Sequence, residues 1–209
     1  MKQWMFLVVF LFSFATAFSQ KQKEAKDLLD RATEKFQSKQ GAELSFSSST
    51  FQLNQLKGEV EGSLFIKGES FMLKTVEMQT WYDGKTQWSL IFDMEEVNIT
   101  NPTEEELAEI NPYQLIKLYK KGYSYLLGQE KSNSQEVILK AQDRSKNYQT
   151  IHVWLNKTSF EPTSLQVETK DKTINKIVIR QIKTNLSLSD SLFKFNEASF
   201  PDADIIDLR

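Results

Sequence analysis

No cysteine occurs anywhere in the 209-residue chain. That excludes a disulfide scaffold, a thiol nucleophile and a cysteine-ligated zinc site. Histidine is nearly missing too: His152 stands alone, which leaves little for histidine-rich metal sites or histidine acid–base chemistry. Glycine and proline are scarce, at 7 and 4 residues, and neither G-x-G-x-x-G nor G-x-x-x-x-G-K-[ST] occurs, so nucleotide folds lack their fingerprint. A formal net charge of −2 gives no basic surplus for nucleic acid. What remains, 40% hydrophobic and 26% charged, is an ordinary globular composition of one-domain length.

The first residues do not read as part of a fold. Lys2 is a short positive start, Met5 to Phe14 is an apolar run of signal-peptide length, and small residues follow at Ala15, Ala17 and Ser19. Residues 1–19 are therefore expected to be a cleaved export signal. Cleavage after Ser19 is preferred to cleavage after Ala17, because it places small residues at both recognition positions. The run is shorter than the roughly 20 apolar residues of a membrane span. No cysteine follows it to carry an N-terminal lipid. Removing Lys2 from 26 basic residues leaves 25 against 28 acidic ones, a net of −3. Residues 20–209 show no linker or composition shift, and a single domain is expected there.

Within that domain Ala25, Leu28, Leu29, Ala32 and Phe36 recur at helical spacing, which predicts an amphipathic helix over 22–38. From Leu44 the period becomes two. Strands are predicted from Leu44 to about Leu53, from Glu59 to Lys67 and from Phe71 to Glu77. Tyr82-Asp83-Gly84-Lys85 reads as a hairpin, because Asp-Gly tolerates the positive φ of a type I′ turn. Residues 100–121 break the pattern. Thr103 with Glu106 forms a capping box, and Asn111 before Pro112 is a second N-cap with proline at N1. Gly122 is the expected stop. Then Val137/Leu139/Ala141, Ile151/Val153/Leu155 and Leu165/Val167 alternate with polar neighbours, while Ile174 to Ile182 alternates less regularly. Ten or eleven strands with so few helices exclude a parallel α/β sheet. The predicted class is mainly β (α+β): an incomplete antiparallel barrel or strongly curved sheet, with the N-terminal and mid-chain helices over its apolar face. Leu64, Ile66 and the later alternating sets should share the concave side, since a one-residue slip would expose them all.

Catalytic constellations are absent. Asp93-Met94-Glu95-Glu96 falls among strands, where adjacent carboxylates point to opposite faces. Glu104-Glu105-Glu106 occupies a helix first turn, where the dipole favours negative charge. His152 is placed on the wetter strand face with Tyr148, Thr150 and Trp154, no serine or aspartate motif lies near it, and the G-x-S-x-G elbow is missing. No catalytic residue, metal ligand or cofactor is assigned. The apolar stripes make either a solid core or the wall of a cavity, since curved sheets of this size can enclose a hydrophobic ligand.

An ordered set of motifs goes further. Gly62-Ser63-Leu64-Phe65-Ile66-Lys67, then Phe71, then Tyr82-Asp83-Gly84-Lys85-Thr86-Gln87-Trp88 resemble the family of periplasmic outer-membrane lipoprotein carriers, LolA. Asn111-Pro112-Tyr113-Gln114-Leu115-Ile116 is similar to that family's mid-chain helix. The ending, Phe195 to Arg209 with Phe200-Pro201, is similar to its close. The likeness runs from about Lys23 to Arg209. It implies a periplasmic shuttle that is not an enzyme, monomeric and without nucleic-acid partners. Such a shuttle takes acylated lipoproteins from an inner-membrane lipoprotein-release ABC transporter and passes them to an outer-membrane acceptor. The alternatives are a binding protein or sensor for another lipid, or a lipid-modifying enzyme on a similar scaffold; the enzyme would need a polar group buried beside the cavity.

On this resemblance the cavity lining is expected from Phe46, Leu64, Ile66, Phe71, Leu73, Trp81 and Trp88 on the strands, and from Leu115, Ile116 and Tyr119 on the mid-chain helix. Leu28, Leu29 and Phe36 are the expected lid. One departure concerns the latch. Many carriers have an arginine after the strand lysine, but here Lys67 precedes Gly68, so Lys67 or Lys74 would have to substitute. The acidic tail residues Asp202, Asp204 and Asp207 carry no assigned role.

Overall fold

The computed structural model describes residues 20–35 and 40–209; the expected leader and Phe36 lie outside the described residues. Residues 20–35 form helix α1. A first meander follows: β1 (Ala42–Gln52), β2 (Gln55–Lys67), β3 (Ser70–Thr75), β4 (Met78–Tyr82), β5 (Gln87–Ile91) and β6 (Glu96–Thr100). Helices α2 (Glu104–Ile110) and α3 (Pro112–Lys117), with a 3-10 turn at Leu118–Lys120, lead to the second. It comprises β7 (Tyr123–Lys131), β8 (Ser134–Ala141), β9 (Tyr148–Asn156), β10 (Pro162–Thr169) and β11 (Ile174–Thr184), and β12 (Asp204–Asp207) ends the chain.

All these strands belong to one sheet of 12, ordered β12-β6-β5-β4-β3-β2-β1-β11-β10-β9-β8-β7. Pairing of β1 with β11 joins the two meanders, and the pairing of β12 with β6 is parallel whereas the others are antiparallel. β12 and β7 remain edges, so the curved sheet does not close. Leu64, Ile66, Ile151, Val153, Leu155, Leu165 and Val167 are each at most 2% exposed and lie in one apolar cluster on the concave side. The helices cover that side. Thr103 caps α2 with the reciprocal Glu106 bond, Asn111 caps α3 ahead of Pro112, and Gly122 sits past the 3-10 turn at φ +73.

The other side of the sheet is not bare. Met72, Trp81, Leu90 and Val97 form a second apolar cluster, covered by Phe193, Phe195 and Phe200 of the segment before β12. That segment explains why β3 is buried on both faces.

Three local expectations need correcting, and one irregularity that was expected has a physical cause. The Asp83-Gly84 hairpin is a four-residue loop, not a type I′ turn: Asp83 accepts bonds from the Lys85 and Thr86 amides, and only Gly84 takes a positive φ. A two-residue hairpin with both φ positive occurs instead at Leu53-Asn54. The irregular β11 pattern is a bulge, since Phe46 pairs with Ile179 and Ser45 with Gln181, which skips Arg180 and returns Ile182 to the concave side. Tyr148 does not share the His152 face; an irregularity beside Thr169 turns it into the core, where its neighbour Tyr123 donates to its carbonyl. The tail adds a twelfth strand beyond the ten or eleven expected.

Candidate functional site

An apolar groove of about 250 Å³ opens between the sheet and the helices. Phe46 of β1, Val60 of β2, Leu73 of β3 and Ile177 of β11 form its sheet wall, and Ala108, Pro112 and Leu115 its helix wall. Exposed Glu77 and Glu109 stand among its lining residues. At roughly 30 Å³ per water, it holds part of an acyl chain but not a whole one. Gly62, which begins the strand motif, is what lets Phe46 lie there. A β-carbon at Gly62 would come within 2.8 Å of the Phe46 ring and 2.9 Å of the Lys74 carbonyl.

Beyond the groove the concave space is filled by the helices themselves. Leu28 and Leu29 of α1, Ile116 of α3 and Tyr119 of the 3-10 turn share one cluster with Phe46, Leu64, Ile66, Phe71 and Leu73. Ten of the expected lining and lid residues, Leu115 included, are thus brought together. Trp81 and Trp88 are not. Trp81 pairs across the sheet with Met72 and Trp88, one residue out of step with Phe71 and Tyr82, so strand alternation sends both indoles to the opposite face. There the Trp81 ring packs 5.4 Å from Phe195 and 5.7 Å from Phe200.

Polar ties hold the lid. The buried Tyr113 hydroxyl donates to the Thr33 carbonyl of α1 at 2.7 Å, and the Tyr119 hydroxyl donates to Asp30. Lys117 of α3 pairs with Glu69 on the β2–β3 turn at 2.5 Å. Lys35, at the end of α1, reaches Glu161 at 2.8 Å and the Ser159 carbonyl at 2.9 Å. Neither expected substitute for a latch arginine takes part. Lys67 donates to the Leu188 carbonyl and pairs with Asp190, both at 2.7 Å, on the side away from the helices. Lys74 is exposed on that side as well, opposite Ser63 and Gln79. At the β2–β3 turn the cation comes from the lid, and the carboxylate it meets follows Gly68. Sequence reasoning missed Val60, Ile177, Ala108, Asp30, Thr33, Glu69 and Lys117. Tyr113 stood inside a quoted motif without a role.

Burial pushes the Tyr119 phenol up to about 12, and its bond to Asp30 adds to that. Burial opposes ionisation of Asp30, but hydrogen bonds from Lys26 and Tyr119 outweigh it and hold the carboxyl below its ordinary 3.8. A raised phenol gives its full stabilisation below 10.0 and loses it as pH climbs through about 12. A lowered carboxyl gives its stabilisation above 3.8 and loses it as pH falls through its lower folded value. The tie is therefore complete across the neutral range. Tyr119→Phe is expected to cost about 1 kcal/mol at neutral pH. It should also shrink the drop in urea midpoint between neutral pH and about pH 11. An undiminished drop in the variant would remove this tie from the account.

Among the described residues, Glu136 is the one buried acid, and it does not line the groove. Its carboxylate sits 2.7 Å from His152 Nδ1 and accepts the Gln129 amide at 2.7 Å. Gly128 leaves the room for it, since a β-carbon there would meet a Glu136 oxygen at 2.1 Å.

The family model of the outer membrane lipoprotein carrier protein LolA matches residues 15–171. No curated protein matches the chain. Among solved structures, an uncharacterized conserved protein from Thermus thermophilus shares the fold with a TM-score of 0.57 at 10% identity, over 88% of this chain and 99% of that one. A LolA superfamily protein from Nitrosomonas europaea is 13% identical with a TM-score of 0.48, over 82% of this chain and 97% of its own. A putative outer membrane lipoprotein-sorting protein domain from Vibrio parahaemolyticus is 11% identical with a TM-score of 0.46, over 84% and 99%. The family match runs through β10 and includes the β2 motif, helices α1 to α3 and the groove wall apart from Ile177 of β11. The chain belongs to the outer membrane lipoprotein carrier protein LolA family.

Proposed function

We propose that this protein is a periplasmic carrier, exported by its N-terminal leader, that hides the acyl chains of lipoproteins between the concave sheet and the helices. Its route runs from an inner-membrane lipoprotein-release ABC transporter to an outer-membrane acceptor, and it works as a monomer. The observation that carries this reading is the groove itself. It is walled by apolar side chains from four strands and two helices, and it borders the apolar cluster in which lid side chains pack on the concave sheet.

Magnitudes favour a lid that can be displaced. An acyl chain left in water costs about 0.8 kcal/mol per CH₂, on the order of 10 kcal/mol for a long chain. The polar ties of the lid contribute about 1 kcal/mol each. The apolar lid residues stabilise the empty protein by taking the ligand's place, and a bound chain repeats their contacts. Cargo thus shifts the lid toward an open arrangement without leaving apolar surface in water.

The experiment is a titration of the mature chain, residues 20–209, with a solvatochromic fatty-acyl probe. A saturable rise in probe fluorescence, reversed by an acylated peptide, is expected. If the protein ignores probe and acylated peptide alike, the carrier reading is wrong.

A further inference from the structure

The β1–β2 hairpin ends in a way that packing does not explain. Leu53 is 87% exposed at its tip, and Leu56, three residues on, is 52% exposed. Leu53 also takes φ +50 and Asn54 φ +61. Positive φ is natural for Asn but costs a leucine steric energy, and the usual first residue of such a turn is Asn, Asp or Gly. One residue therefore carries both a backbone penalty and an exposed apolar side chain.

The tip also overhangs β3, while β11 flanks β1 as far as Phe51. The β2–β3 pairing begins at Gly62 and Thr75, so residues 55–61 of β2 extend past β3 by roughly 20 Å at 3.3 Å per residue. Along this arm, residues 44–58 contain no acid, and their single cation is Lys57. A second cation, Lys176 of β11, lies 4.9 Å over the Phe51 ring. The first acids along β2 are Glu59, which accepts from Ser49 at 2.8 Å, and Glu61, whose charge is met by Arg180 at 3.0 Å. Asp171, on the neighbouring β10–β11 turn, is held by Thr169 and Thr173. The inner side of the same hairpin supplies Phe46, Ser48 and Val60 to the groove.

We propose that this tip docks on an anionic phospholipid bilayer. Leu53 and Leu56 enter the headgroup–acyl boundary, Lys57 and Lys176 face the phosphates, and the groove wall begins five residues up the hairpin, at Ser48 and Val60. Exposed leucines beside cations, at a tip where residues 44–58 carry no acid, are the chemistry of an interfacial lipid contact. The exposure that is a penalty in water becomes a gain there.

Flotation of the mature protein with phosphatidylethanolamine–phosphatidylglycerol vesicles tests this directly. The wild type is expected to float with the vesicles, less so as salt is raised. Leu53→Asn keeps a residue suited to positive φ and removes the apolar group. It should lower the vesicle partition about tenfold, with the melting temperature unchanged or raised. Lys57→Gln should weaken binding to these vesicles but not to uncharged vesicles of phosphatidylcholine, and equal weakening on both would take the phosphate contact out of the proposal. A wild type that stays in the aqueous fraction overturns the proposal, and so does Leu53→Asn floating as well as wild type. Acyl-probe binding in solution should be unchanged in Leu53→Asn. The carrier reading can thus fail without this one, and the reverse.

Discussion

Trp81→Ala is expected to lower the stability of the mature protein by about 3–5 kcal/mol while leaving its affinity for an acyl probe unchanged. The indole is 6% exposed, and Phe195 and Phe200 pack edge-on against it on the side of the sheet away from the helices. Its removal opens a cavity between the sheet and the segment that leads to β12. Rigid strand packing prevents that cavity from collapsing fully. The groove lies across the sheet and shares no side chain with this cluster. Urea unfolding and probe titration of the same preparation measure both quantities. Loss of probe affinity with little change in stability would place Trp81 against the ligand after all.

Leu73→Gln is expected to do the reverse at the site. Leu73 is 5% exposed, lines the groove and sits between Leu64 on β2 and Thr80 on β4. An amide facing an acyl chain without a partner costs about 1–3 kcal/mol. Probe binding should therefore weaken by roughly 5- to 150-fold, at 1.4 kcal/mol per factor of ten. The fold should stay cooperative, because the groove offers the amide water when no ligand is bound. Unaltered affinity would show that ligand does not reach β3.

These two residues also show where sequence reasoning succeeds and where it ends. Leu73 and Trp81 both sit in apolar, aromatic strands that the family motifs mark. Alternation alone says that neighbours oppose each other, not which side faces the helices. The answer for Trp81 depends on Phe195 and Phe200, over a hundred residues away in the chain, whose covering role has no local signature. By contrast, the caps at Thr103 and Asn111 were legible because each is a short-range bond within its own turn. The concave sets on β9 and β10 were legible because they are regular. The lid ties were not, since Tyr119 and Asp30 are separated by 89 positions and Tyr113 and Thr33 by 80. Val60 escaped notice because it is the one half-buried residue among the exposed residues 55–61 that precede Gly62 on β2, where no apolar period shows. Leu53 escaped because leucine is not a turn residue.

The latch follows the same logic. A cation after the β2 motif would have been readable in place. Here Gly68 holds a φ of +62 at the β2–β3 turn, and Glu69 beside it takes the opposite charge to meet Lys117 from the lid. Exposed on the Glu69 side, such a pair contributes about 0–1 kcal/mol. That is weak enough for the release that the proposed carrier function requires.

The central claim is that the space beneath the helices is exchangeable for acyl chains. Incubating the mature protein with vesicles that carry a fluorescent triacylated peptide, then removing the vesicles, tests it most directly. The account predicts the peptide in the supernatant, bound one to one with the protein, and far less of it with Leu73→Gln. A supernatant free of peptide, with folded protein present in excess, would contradict it.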